Sequence, residues 1–199
     1  MVTVVAVLGV LTAAGLGLLN GTGVQSRKAG VDLLAGMVEQ ARAAAITSRS
    51  HVVLAVVEHD DFPGGEPRCR LGLFRVECWP DPATAPLTGV LIGRWRALGT
   101  GVVLIGGEVD GMVNPMDGDT LTLCHGTPGA SPVKVRAIAF NAHGGLHYPA
   151  GSAPVAMRVA EGGYRRGKAT PNRRGEAGVI TETRLKIGRV NPRPYRIDG

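Results

Sequence analysis

From Val2 to Leu19 the chain holds only Val, Leu, Ala, Gly and Thr, and no charged residue appears before Arg27. A helix rising about 1.5 Å per residue would cross the roughly 30 Å hydrocarbon core of a bilayer with a run of this length. The pattern therefore predicts a membrane segment. No Lys or Arg precedes the run, so it lacks the basic start of a cleavable signal peptide. The alternative is a buried strand-turn-strand pair, because Val-Thr-Val-Val-Ala-Val is β-branched and Gly15, Gly17, Gly21 and Gly23 could break a helix. From Arg27 to Ser48 the apolar positions Val31, Leu34, Val38, Ala41 and Ala45 recur at helical spacing, with Asp32, Glu39 and Arg42 on other faces. No proline interrupts residues 1–62, so both segments are expected to form one rod of about 48 residues, about 70 Å long.

After Ser50 the period shortens to that of strands. Short β-branched runs over residues 51–58, 70–78, 90–98, 102–105, 120–124, 133–140, 155–160 and 179–187 are separated by Gly, Pro, Asn or Asp. Lys134 and Arg136 alternate with Val133, Val135 and Ala137, and Arg184 and Lys186 alternate with Leu185 and Ile187. Such alternation predicts strands with one face on a core and one in water. The expected fold class is α+β: a long N-terminal helix, half membrane and half amphipathic, packed on an antiparallel β domain. The expected boundaries are 1–23 for the apolar helix, 24–50 for the amphipathic helix and 51–199 for the β head.

Composition narrows the function. Only 4% of the 199 residues are aromatic, so the core is built from aliphatic side chains and a deep aromatic ligand cleft is disfavoured. The net charge of +6 is uneven: residues 1–131 carry 9 Lys/Arg and 12 Asp/Glu, whereas residues 132–199 carry 13 and 4. Part of that basic excess is the strand alternation itself. The three cysteines, Cys69, Cys78 and Cys124, leave the redox compartment open; Cys69 and Cys78 lie at the two ends of one predicted strand, which argues against a bridge between them unless a bulge or hairpin intervenes, while Cys78 with Cys124 is possible.

Candidate chemistry is sparse. Gly162 to Lys168 fits G-x-x-x-x-G-K, but Ala169 stands where a phosphate loop needs Ser or Thr, and Pro171 follows where a helix should begin. The same turn-rich stretch concentrates Arg165, Arg166, Lys168, Arg173 and Arg174, the best anion-binding candidate in the chain. His143 and His147 are four apart, yet Gly144 and Gly145 make a turn there rather than a helix face. Asp117-Gly118-Asp119 offers too few oxygens for calcium. No Gly-x-Ser-x-Gly elbow occurs. The pattern assigns no catalytic residue, no metal ligand and no cofactor.

The segments Val4 to Leu11, Leu33 to Ile46, Val52 to Val56, Ile138 to Gly145 and Leu185 to Val190, taken in order, resemble the type IV pilin and type II secretion pseudopilin superfamily, most closely its GspH/FimT-like minor pseudopilins. That resemblance implies a non-enzymatic subunit of a (pseudo)pilus, held by one span in a bacterial inner membrane with its head in the periplasm. Its implied partners are other pseudopilins, an inner-membrane assembly platform and the membrane. Gly9, Gly15 and Gly17 would permit close helix packing in the filament. Some members bind DNA through a basic C-terminal region, which implies DNA as a partner for the Arg165 to Arg174 loop. The family's basic leader and Gly-Phe-Thr-Leu-x-Glu motif would align just ahead of Met1, so a start assigned too late is expected.

Overall fold

The structure, a computed structural model, describes residues 2–58, 68–79, 86–125, 131–165, 168–174 and 178–198, apart from the side chains of 2–22, 125, 174 and 198. Among the described residues one helix, α1 (Val2–Ser48), is followed by thirteen strands. They are β1 (His51–Val57), β2 (Arg70–Val76), β3 (Leu87–Ala97), β4 (Val102–Ile105), β5 (Leu121–His125), β6 (Val133–Phe140), β7 (Leu146–Tyr148), β8 (Val155–Arg165), β9 (Lys168–Pro171), β10 (Arg173–Arg174), β11 (Val179–Ile180), β12 (Glu182–Ile187) and β13 (Pro194–Asp198).

The helix ends in a Schellman motif. The Ser50 N–H donates to the Ala45 carbonyl and the Arg49 N–H to the Ile46 carbonyl, with Arg49 in the left-handed region at φ 50°. This turn delivers the chain directly into β1. There the sequence His-Val-Val-Leu-Ala-Val-Val has no polar alternation, and every residue after His51 is buried. A strand apolar on both faces needs cover on both. It also pairs on both edges, antiparallel to β2 and antiparallel to β6.

That double pairing closes a ring, β1-β2-β3-β5-β6 and back to β1, with β7 added at the edge of β6. Val53, Ala55 and Val57 point into the ring with Phe74, Val76, Leu87, Leu121, Leu123, Val135, Ala137 and Ala139. Val52, Leu54 and Val56 point outward into a second core, shared with Ile138 and Phe140 of β6, with Leu104, Met157, Leu185 and Ile187 of the sheet β13-β12-β8-β4, and with Val31, Leu34, Met37, Val38, Ala41 and Ala45 of α1. Arg196 of β13 also pairs with Asp32 of the helix.

Two expectations are corrected. The α+β, pilin-like class, with a long helix on an antiparallel head, gives way to a mainly β molecule with, among the described residues, a single helix and a closed barrel. Within that barrel β3 and β5 run parallel. Alternation reports which face of a strand is buried but not whether the first and last strands meet, and here β1 closes the sheet. The single-pass inner-membrane localisation is corrected as well: among the described residues no helix is long and apolar enough to cross a membrane. The described part of α1 carries Arg27, Lys28, Asp32, Glu39 and Arg42. Each such charge at a bilayer centre costs about 2.5–3.5 kcal/mol.

Because Leu54 fills the outer core at zero exposure, Leu54→Ala should destabilise the protein by about 2–5 kcal/mol. Urea unfolding should show this as a lower midpoint at unchanged slope.

Candidate functional site

The basic residues singled out in the sequence belong to a hairpin at the end of the second sheet. β8 and β9 pair antiparallel with Gly162 opposite Pro171, Gly163 opposite Thr170, Tyr164 opposite Ala169 and Arg165 opposite Lys168. Gly162 is required by this close approach: a Cβ there would lie 2.4 Å from the Thr170 carbonyl oxygen. The Asn172 N–H donates back to the Glu161 carbonyl at 2.7 Å, turning the chain toward Arg173. Arg173-Arg174 then pairs with Val179-Ile180.

Arg165, Lys168 and Arg173 are exposed. Arg165 and Arg173 line one open groove of about 520 Å³ together with Gly162, Gly163, Tyr164 and Asn172. Lys168 lines the neighbouring cavity, about 350 Å³, with Glu58 and Arg158. The structure thus brings two of the five predicted cations to one groove and sets a third beside it. Arg166 and the Arg174 side chain lie outside the described residues, as do the surroundings of Gly9, Gly15 and Gly17 in α1.

Beneath the hairpin, the Tyr164 hydroxyl and the Cys69 thiol are close enough to shift one another's ionisation. Burial pushes the Cys69 thiol up to about 12, the Tyr164 hydroxyl opposes this, and the nearby Glu58 charge adds to it. Burial, followed by Cys69 and Glu58, also raises the Tyr164 hydroxyl above its ordinary value. Cys69 is therefore held as a thiol, a packing group and not a nucleophile at neutral pH. All three cysteines are free, including the Cys78 and Cys124 for which a bridge was possible.

Next to the 350 Å³ cavity, Glu182 is buried on β12 and held by two arginines. Arg158 donates from Nε at 2.8 Å and reaches the same carboxylate with Nη2 at 2.6 Å, while its Nη1 donates to the Gly106 carbonyl at 2.7 Å. Arg184 Nε donates to the other carboxylate oxygen at 2.8 Å. Burial raises the Glu182 carboxyl, but the hydrogen bonds from Arg158 and Arg184 outweigh it, so the net shift is downward. Arg158 is thereby committed to structure. The Asp117 carboxylate is likewise committed, accepting the Gly107 N–H on both oxygens at 2.9 Å.

The chain matches no protein-family model, no curated protein and no solved structure. What can be read of its chemistry rests on these side chains. Among the described residues no group of three or more His, Cys, Asp or Glu is gathered. His143 sits in a turn where Asn141 Oδ1 accepts the N–H groups of His143 and Gly145 at 3.0 Å and Gly144 takes φ +76°. His147, four residues on, lies instead on β7 beside His51. That pairing spans 96 positions and left no local signal; only the order β1-β6-β7 could have revealed it.

The downward shift of Glu182 fixes the sign of a pH effect. Its carboxylate stabilises the fold above the unfolded value near 4.5, and that contribution is lost as pH falls through the lower folded value. Glu182→Gln should cost about 1–3 kcal/mol at pH 7. It should also flatten the fall in stability below pH 4.5 in pH-dependent urea unfolding.

Proposed function

We propose that this chain is a non-enzymatic, pseudopilin-type subunit that assembles with other subunits of that kind into the filament of a type II secretion or type IV pilus system. The observation that carries the reading is the division of labour along α1. Its part from Val31 to Ala45 is spent on the outer core. The same helix begins with the uncharged sequence Val2 to Gly21, rich in Gly, Ala, Val and Leu. A welded helix of this kind is a stiff mount for an apolar segment, and segments with small residues at Gly9, Gly15 and Gly17 suit close helix-helix packing.

The test is photo-crosslinking in cells from a photoreactive residue placed at Leu11 of the full chain. Adducts with the N-terminal helices of other pseudopilin-type subunits are expected, and Leu11→Glu should abolish incorporation into sheared filaments while the near-UV spectrum of the purified protein stays unchanged. Adducts confined to unrelated proteins, with Leu11→Glu incorporated normally, would overturn the reading.

A second reading is favoured by the hairpin. Arg165 and Arg173 line one open groove with Lys168 close by, which suits phosphates of a nucleic acid. On this reading the subunit also binds DNA. Binding of a duplex oligonucleotide should weaken by at least tenfold between 50 and 200 mM salt, at a steepness set by about three phosphate contacts. Arg165→Ala with Arg173→Ala should remove most of it. Binding that persists in the double variant excludes the groove.

A further inference from the structure

At the start of β1, away from the basic hairpin, four rings from three parts of the chain converge. His51 opens β1, His147 is the middle residue of β7, Tyr148 follows it, and Trp79 lies three residues beyond the end of β2. The centroids of the His51 and His147 rings are 4.6 Å apart at 54°. The Trp79 indole stands edge-on to His147 at 4.8 Å, is tilted against His51 at 5.8 Å, and meets Tyr148 at 5.8 Å. His147 is exposed, while His51 and Trp79 are half-buried. Two imidazoles therefore sit side by side, with solvent on one side and an indole wall on the other.

Aromatic packing alone accounts poorly for this choice of residues. A Phe or Tyr would give more apolar contact in the same place, and two imidazoles this close repel each other once protonated. Neutral imidazoles instead offer nitrogen lone pairs, and among the described residues no hydrogen bond engages either ring. The strands fix both Cα positions. His51 is held by pairing to Val76 of β2, and β7 is held to β6 through Ala139 opposite Tyr148.

We propose that His51 and His147 form a two-imidazole site for a borderline divalent transition cation, with water completing the coordination and Trp79 walling one side. Imidazole suits Cu²⁺, Ni²⁺ and Zn²⁺, whereas Ca²⁺ and Mg²⁺ require oxygen ligands. With two nitrogen ligands and no imposed geometry, Cu²⁺ binds most tightly.

Trp79 supplies the readout, since a paramagnetic ion on His147 lies within a few ångströms of the indole. The full chain carrying Cys78→Ser, which removes the exposed thiol next to Trp79, and Trp95→Phe, which removes the other indole, is titrated with CuCl2. Saturable quenching at one ion per chain is expected, with nitrogen superhyperfine structure in the electron paramagnetic resonance spectrum. His51→Asn and His147→Asn should each weaken binding by at least tenfold, and His143→Asn, on the neighbouring exposed turn, should leave it unchanged. Addition of MgCl2 or CaCl2 should give no quenching. Quenching that does not saturate, or that survives both His51→Asn and His147→Asn, or that is lost equally in His143→Asn, overturns the proposal. A circular dichroism spectrum identical to the parent ensures that a negative result is read from folded protein.

Discussion

Strand β1 must be covered on both faces and paired on both edges, and the rest of the molecule follows from meeting that demand. Six consecutive apolar residues, Val52 to Val57, leave no face that water can solvate. The ring of strands answers for Val53, Ala55 and Val57, while the helix and second sheet answer for Val52, Leu54 and Val56. At about 25 cal/mol per Å² of apolar surface removed from water, neither half could be surrendered without a cost of several kcal/mol. The barrel and the outer layer are thus two solutions to one strand, and they share it. Unfolding either exposes β1, which argues for a single cooperative transition.

The helix is placed by polar as well as apolar contacts. Arg27, one turn after Gly23, lies 3.5 Å from the Glu161 carboxylate on β8, with the two side chains only 12% and 4% exposed. A Cβ at Gly23 would stand 2.8 Å from that same carboxylate, so a larger residue there would push the Glu161 side chain away from Arg27. Burying such a pair gains little over an apolar pair of the same shape. Its effect is on register: a helix slid by one residue would leave Glu161 buried against the wrong partner, a penalty of about 3–5 kcal/mol. Apolar packing supplies the driving force and the ion pair selects the position.

What the sequence made legible is what depends on neighbours a few positions apart. The helical spacing of Val31, Leu34, Val38, Ala41 and Ala45 marks residues that the structure buries. The alternation around Lys134 and Arg136 marks a strand whose Val135 and Ala137 face the inside of the ring. The basic stretch after Gly162 was visible as a cluster of charge, though not its division between a groove and an adjoining cavity. Barrel closure was illegible, because the pairing of Val52 with Phe140 joins positions 88 apart. So were β7, β9, β10 and β13, which are two to five residues long, too short for alternation to set them apart from loop sequence. The partners of Glu182 were hidden for the same reason: Arg158 is 24 positions away, and only the β8–β12 pairing brings it near.

The geometry of β1 also separates the two proposed ligand sites. His51 opens the strand beside His147 and Trp79, and Glu58, just past its far end, acts on Cys69 and Tyr164 beneath the basic hairpin. Seven residues of strand at about 3.3 Å each put roughly 23 Å between those ends. That distance exceeds the Debye length of about 8 Å at physiological salt, so charge on a cation at His51 and His147 barely changes the potential at Arg165 and Arg173. Coupling would have to pass through β1 itself, which is buried along its length and paired on both edges, and so has no second arrangement to adopt. Substitutions at the two ends should therefore combine additively in their effects on stability. Binding at one of the two proposed sites would neither require nor disturb binding at the other.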